Sequence, residues 1–247
     1  MYIYNDYRVL KPMKRKENEM KAQKIKFKKV VVKDYKKLTG VHITLNHNDK
    51  MEGIQSMSTS CLNNPRCLAR MLKGVDNCIC NHCYACSMSK QYSNLDKVLA
   101  RNTEILTSGI LDTVPLITNK YFRFEAFGDL VNDIQFINYL NIARANRDTN
   151  FVIWTKNPDI IDNVFKQGYS KPKNLRIILS SPVINVLTDY IKIYSWCDSV
   201  FTVYTKEYAK AHNININCGG RSCASCSGGR CYFKGGSHPV YINELLK

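Results

Sequence analysis

The residues most able to do chemistry are cysteines, and they fall in two groups. Cys218, Cys223, Cys226 and Cys231 form C-x4-C-x2-C-x4-C within fourteen residues. Four thiols this close in sequence are a chelating set. A tetrahedral zinc site takes four thiolates from two such knuckles. Yet the spacers are almost all small, namely Gly219, Gly220, Ser222, Ala224, Ser225, Ser227, Gly228 and Gly229. Small spacers let backbone amides reach the sulfurs of an iron-sulfur cluster, and x4-then-x2 spacing also occurs in ferredoxin-type ligation. A [4Fe-4S] cluster is the first expectation, structural zinc the second, and a metal-free loop the third.

The other group holds Cys61, Cys67, Cys78, Cys80, Cys83 and Cys86. Cys80-x2-Cys83 is a chelating pair, and Cys67, thirteen residues earlier, is placed to be a third ligand. Cys61, Cys78 and Cys86 are then fourth ligands or bystanders. His82, between the pair, reads as a solvent-exposed loop histidine. Eleven cysteines in 247 residues are too few for a disulfide scaffold, and the odd count fits poorly with complete pairing. Clustered thiols in a reducing compartment are metal ligands or catalytic groups. The chain lacks a run of about 18 apolar residues and its first residues lack a secretory pattern. The sequence therefore points to a cytoplasmic protein with no membrane partner.

The elements that must position these groups follow from periodicity. Val41 to Asn46 alternates like a short strand, and Gly53 to Lys90 reads as an irregular metal loop. A helix is expected around Leu95 to Leu106 and a buried strand at Tyr121 to Phe127. A helix over roughly Val131 to Asn146 then leads to a strand at Phe151 to Thr155, a helix from Pro158, and a strand at Leu175 to Ser180. After a short helix comes a strand at Ser199 to Tyr204, and the tail Pro239 to Ile242 adds another. Strands alternating with helices of this length imply β-α units and a parallel sheet. Four units are too few for a closed barrel, so the expected fold is α/β, a partial (open) β/α barrel with cysteine-rich metal loops at both ends of its core.

Ligands of such sheets sit beyond the carboxyl ends of the strands, which singles out Gly128 and Asp129, Lys156 and Asn157, Ser180 and Ser181, and Thr205 and Lys206. Gly128-Asp129 is also readable as a plain turn with Asp129 as a helix N-cap. Arg123 and Glu125 are expected on one face of a strand, facing the barrel interior or paired structurally. Trp154 and Trp196 read as core.

The net charge of +16 is uneven, because residues 1–37 hold thirteen basic and four acidic side chains, or +9. This segment reads as a flexible basic arm in front of a single domain over residues 38–247, with cysteine segments at 58–90 and 217–232. Its charge either solvates the protein or neutralises phosphates of a nucleic-acid partner. Met20 is an alternative start.

Ser58 to Cys67 (STSCLNNPRC), Cys80 to Ala85 (CNHCYA), Phe127 to Leu130 (FGDL), Phe151 to Pro158 (FVIWTKNP) and the terminal cysteines together resemble an uncharacterised phage and prophage protein family. That family in turn resembles a divergent branch of the radical-SAM superfamily. The resemblance implies that Cys67, Cys80 and Cys83 are the family's N-terminal cysteines, that the barrel carries iron-sulfur chemistry, and that Gly128-Asp129 faces the methionine amino group of S-adenosylmethionine. The chain departs from the common C-x3-C-x2-C loop. Three ligands would leave one iron open to S-adenosylmethionine, whereas a fourth would close the cluster into a redox or structural centre. The functions in contention are an iron-sulfur protein with two metal centres, a radical-SAM-like enzyme, and a zinc-bound nucleic-acid module.

Overall fold

The computed structural model describes residues 27–47, 49–72, 76–219, 222–223, 226, 231–232 and 240–246. Its strands are β1 (Lys28–Val31), β2 (Thr44–Leu45), β3 (Gln55–Met57), β4 (Thr113–Leu116), β5 (Tyr121–Phe124), β6 (Asn150–Thr155), β7 (Leu175–Ser180), β8 (Ser199–Tyr204) and β9 (Tyr241–Leu245). Its helices are α1 (Val32–Thr39), α2 (Pro65–Leu72), α3 (Tyr84–Gln91), α4 (Ser93–Ser108), α5 (Asp133–Ala145), α6 (Pro158–Lys166), α7 (Tyr190–Ile193) and α8 (Lys206–Ala211).

Among the described residues the main sheet runs β2-β3-β5-β6-β7-β8-β9, while β1 pairs with β4 in a separate ribbon. From β3 onward every pairing is parallel, and only β2 runs against its neighbour. The fold is thus mixed α/β with an unclosed parallel sheet. Each strand of the run lies beside the next one in the chain, with β4 diverted to β1. Winding in one direction sends the connecting helices to one face.

The strand pleat sorts side chains between the two faces. Phe122, Phe124, Phe151, Ile153, Leu175, Ile177 and Leu179 meet α5 and α6 in the main core. Val152, Ile178 and Ile242 pack on the opposite face with Trp154, Phe201, Tyr232 and three C-terminal cysteines. All six residues of β7 are buried, as a central strand covered on both faces requires. Helix starts follow the local sequence: Asn132 caps α5 by accepting from Gln135 N, Pro158 opens α6, and Thr205 caps α8.

Several expectations are corrected. The basic arm does not extend to residue 37: β1 pairs with β4, and Tyr35 of α1 is fully buried in the core. Residues 28–37 hold five lysines and one aspartate but anchor one aromatic side chain, and that decides their order. Residues 1–26 lie outside the described residues. The stretch from Gly53 to Lys90, read as irregular, contains β3, α2 and α3. Arg123 and Glu125 do not share a face, because Glu125 has φ 55° just past β5. That left-handed turn carries its carboxyl to the helix side, against Tyr139 and Gln135 of α5. Asp129 is not the N-cap of α5; Asn132 is.

Candidate metal centres

All eleven cysteines are free thiols. Among the described residues no three His, Cys, Asp or Glu side chains converge at ion-binding distance; the cysteines meet as pairs and packed neighbours.

The first group lies beyond the carboxyl ends of β3, β5 and β6. The chain leaves β3 through Ser58, Thr59 and Ser60, all buried. Ser58 Oγ accepts the Ala126 and Phe127 amides at 3.1 and 3.2 Å, and Ser60 Oγ bonds Asp96 of α4 at 3.0 Å. These bonds fix Cys61 in an apolar cluster with Ala85 and Cys86, against which Cys67 and Cys83 pack. Cys83 stands at the N-cap of α3. A hydrogen bond from the Cys61 thiol, together with the Cys86 and Ala85 amides, pulls its pKa down to about 6. A helix N-terminus favours an anion in this way. Burial pushes the Cys80 thiol up to about 11, against the pull of Lys156 and Arg70, and its sulfur bonds Cys78. Burial likewise raises Cys67, with Asp129 adding to the effect and Lys156 opposing it. His82 is exposed, as its loop position suggests.

Two cations border these thiols. Burial works against the Lys156 charge, but Asp129, Cys80 and Cys67 outweigh it and raise the pKa. Arg70 Nη2 donates to the Lys156 carbonyl at 2.8 Å, while Nη1 lies 3.9 Å from Asp129 Oδ2 and is buried without a hydrogen-bond acceptor. Asp129 is held by Leu130 N at 2.8 Å, Lys156 N at 3.0 Å and Thr155 Oγ1. Gly128 has φ 78°, and a Cβ there would stand 2.4 Å from the Thr59 carbonyl oxygen. The Gly-Asp pair therefore makes a close backbone approach and a buried carboxylate brace, both directed at protein groups. Behind it Glu125 accepts from Thr59 N at 3.2 Å, Thr59 Oγ1 at 2.8 Å, Gln135 Nε2 at 2.6 Å and Tyr139 OH. Burial still pushes its pKa up to about 8.

The second group lies on the sheet face opposite the helices. Strand β9 places it: the Cys218 amide donates to Asn243 O at 3.0 Å. The Cys223 amide donates to the Lys50 carbonyl at 2.6 Å. Cys218, Cys223 and Cys231 pack on one apolar cluster around Tyr232, and Cys226 interacts electrostatically with Cys223 and Cys231. Burial raises all three clustered thiols, Cys231 to about 12.

Three cations face these sulfurs. Lys50 Nζ stands 3.7 Å from Cys218 Sγ and pairs with Glu244. Burial disfavours its charge, yet Glu244 and the two cysteines hold its pKa above the usual value. The Arg123 guanidinium lies 4.2 Å over the Trp154 ring, and its Nε is buried without a hydrogen-bond partner. It opposes the rise that burial imposes on the Cys223 thiol. Arg176, 2% exposed, donates to Ser199 Oγ at 2.6 Å and acts on Cys231. The register explains the pairing of the arginines, since Arg123 and Arg176 both align with Val152 and so stand level two strands apart.

Motif reading did not find Lys50, Arg70 or Arg176. An arginine inside the apolar run LRIILS was the available signal, since a buried guanidinium needs an anion or polar partners. Thr205 caps a helix rather than facing either group, and Cys197 is buried away from both, donating to Ser199 O at 3.2 Å.

Neither the curated proteins nor the solved structures contain a match to the chain. One family model, that of the phage-type family Gene product 88, matches residues 11–238. A match over nearly the whole chain, spanning both cysteine groups and the sheet between them, is decisive: the chain belongs to the Gene product 88 family.

Proposed function

We propose that this chain is an iron-sulfur protein with two cysteine-ligated centres in a redox or structural role, built on a partial β/α barrel. The observation that carries the reading is the charge around the C-terminal cysteines. Lys50, Arg123 and Arg176 act on Cys218, Cys223 and Cys231; Glu244 offsets Lys50 and Asp198 acts on Arg176, whereas Arg123 meets the Trp154 ring and the Met51 sulfur. Neutral thiols leave the Arg123 charge against an aromatic ring and a thioether, and burying a cation without counter-charge is costly. Four thiolates on a metal centre supply the missing negative charge. Cys218, Cys223, Cys226 and Cys231 would hold this centre, which when bound supplies one-electron redox chemistry if it is an iron-sulfur cluster. A zinc ion with four thiolates would supply the same negative charge, and metal analysis separates the two. Cys67, Cys80 and Cys83 would hold the second centre, with Lys156 and Arg70 as its cations.

A second reading, a radical-SAM-like enzyme that cleaves S-adenosylmethionine, draws support from the carboxyl-end position of the first group, where ligands of parallel sheets bind. It requires an open iron. The zinc-bound nucleic-acid module rests on the basic segment alone.

The test is anaerobic purification with iron, sulfide and zinc quantification, followed by EPR of the reduced protein. Iron and sulfide in equal amounts, lost in part from Cys223→Ser and in part from Cys80→Ser, are expected. Folded protein with neither metal overturns the reading, and zinc alone transfers it to the structural alternative.

A further inference from the structure

Three thiols of the first group are not among the cysteines assigned above: Cys61, Cys78 and Cys86. The structure separates them by what holds each one. Cys78 is tied by its backbone to the segment after β7, through a bridge with Val183 and bonds from Ile79 N to Pro182 O at 2.9 Å and from Ile184 N to Asn77 O at 2.8 Å. Its sulfur meets Cys80, two residues on in the same turn. Cys86 lies one helical turn after Cys83 on α3 and packs into the apolar cluster. Cys61 differs from both. It arrives from another element, the segment leaving β3, is 1% exposed, and packs beside Cys86 in the cluster that Cys67 and Cys83 border, with its thiol hydrogen-bonded to Cys83 and acting on Cys86 and then Cys67. The Ser58 and Ser60 bonds that hold this segment fix where Cys61 sits.

We propose that Cys61 is the fourth thiolate of the N-terminal centre, joining Cys67, Cys80 and Cys83 and closing it to external ligands. This rests on the iron-sulfur reading of that centre and deepens it, because a closed centre transfers electrons or holds the fold and does not bind S-adenosylmethionine through an open iron. Chelation favours it: three ligands come from the stretch Cys67 to Cys83, and a fourth from the adjoining strand end ties that stretch to the sheet, so metal binding becomes folding free energy for the whole segment. Lys156 and Arg70 are then counter-charges to bound thiolates rather than anchors for a substrate carboxylate.

The test compares full-length wild type with Cys61→Ser, Cys78→Ser and Cys86→Ser, each purified anaerobically. Iron per chain should fall by about one of the two centres in Cys61→Ser and stay at the wild-type level in the other two. Added S-adenosylmethionine should leave the EPR signal of reduced wild type unchanged. Full iron with an unaltered signal in Cys61→Ser overturns the proposal, as does loss confined to Cys78→Ser or Cys86→Ser. Should Cys61→Ser fail to fold, the wild-type titration decides: a signal shifted by S-adenosylmethionine refutes closure, and an indifferent one upholds it. Wild type free of iron refutes the parent reading as well, which keeps the two failures apart.

Discussion

Replacing Gly128 with alanine tests whether the Gly-Asp turn is a packing device. Two costs add. A side chain at φ 78° sits in the left-handed region, at about 1–2 kcal/mol. The new Cβ would lie 2.4 Å from the Thr59 carbonyl oxygen and 2.8 Å from Thr59 Oγ1. Backbone must move, and overpacking of this kind costs about 1–3 kcal/mol. The sum is about 2–5 kcal/mol, a loss of roughly 4–20 °C in Tm for a domain of this size. Gly168 supplies the control, with φ 95° and nothing within 4 Å of a Cβ. Gly168→Ala should show only the conformational cost, and the stiffening of the unfolded chain applies to both variants alike. The difference between them in urea unfolding, at equal slopes, isolates the contact with Thr59 at about 1–3 kcal/mol. Thr59 lies two residues before Cys61 and bonds Glu125, so under the proposed metal-centre reading Gly128→Ala should also lower metal content, which Gly168→Ala leaves intact. Two variants equal within about 0.5 kcal/mol, the scatter of ordinary surface changes, would refute the reasoning.

Glu125→Ala should cost several kcal/mol, at about 1–3 for each buried donor left unsatisfied, because Thr59, Gln135 and Tyr139 all lose their acceptor. Its folded pKa of about 8 lies above the ordinary 4.5, so its contribution is whole below the lower value and fades as pH rises to the higher one, by at most about 1.4 kcal/mol per pH unit. Urea titrations from pH 5 to 8 should show this decline in wild type and not in Glu125→Gln. Lys50→Met and Arg123→Met should each weaken metal binding at the proposed C-terminal centre about 10–100-fold in chelator competition, with the proposed N-terminal centre unaffected. Because burial holds Cys218, Cys223 and Cys231 above their ordinary pKa, loading should release about one proton per thiol. Apparent affinity should then drop about tenfold per pH unit for each proton as pH falls, measurable by calorimetry in buffers of different ionisation heat.

The central architecture was legible in the sequence because local signals agreed with tertiary demand. FVIWT and LRIILS are β-branched and apolar runs of strand length, and β6 and β7 occupy them; the helix expected over roughly Val131 to Asn146, found at Asp133–Ala145, and the helix start at Pro158 were equally plain. The thiol spacings too named both cysteine groups without any coordinates. Short elements were not legible: β1, β3 and β4 have three or four residues each, too few for a period to register, and they exist because a parallel partner supplies hydrogen bonds. The surroundings of the cysteines belong wholly to tertiary structure. Lys50 reaches Cys218 across 168 positions, Arg123 and Arg176 stand level on either side of Val152 only through strand register, and a left-handed turn sends Glu125 to the opposite face from Arg123. Spacing along a chain groups the thiols, whereas the charges that face them are gathered by pairing and pleat from strands far apart in sequence.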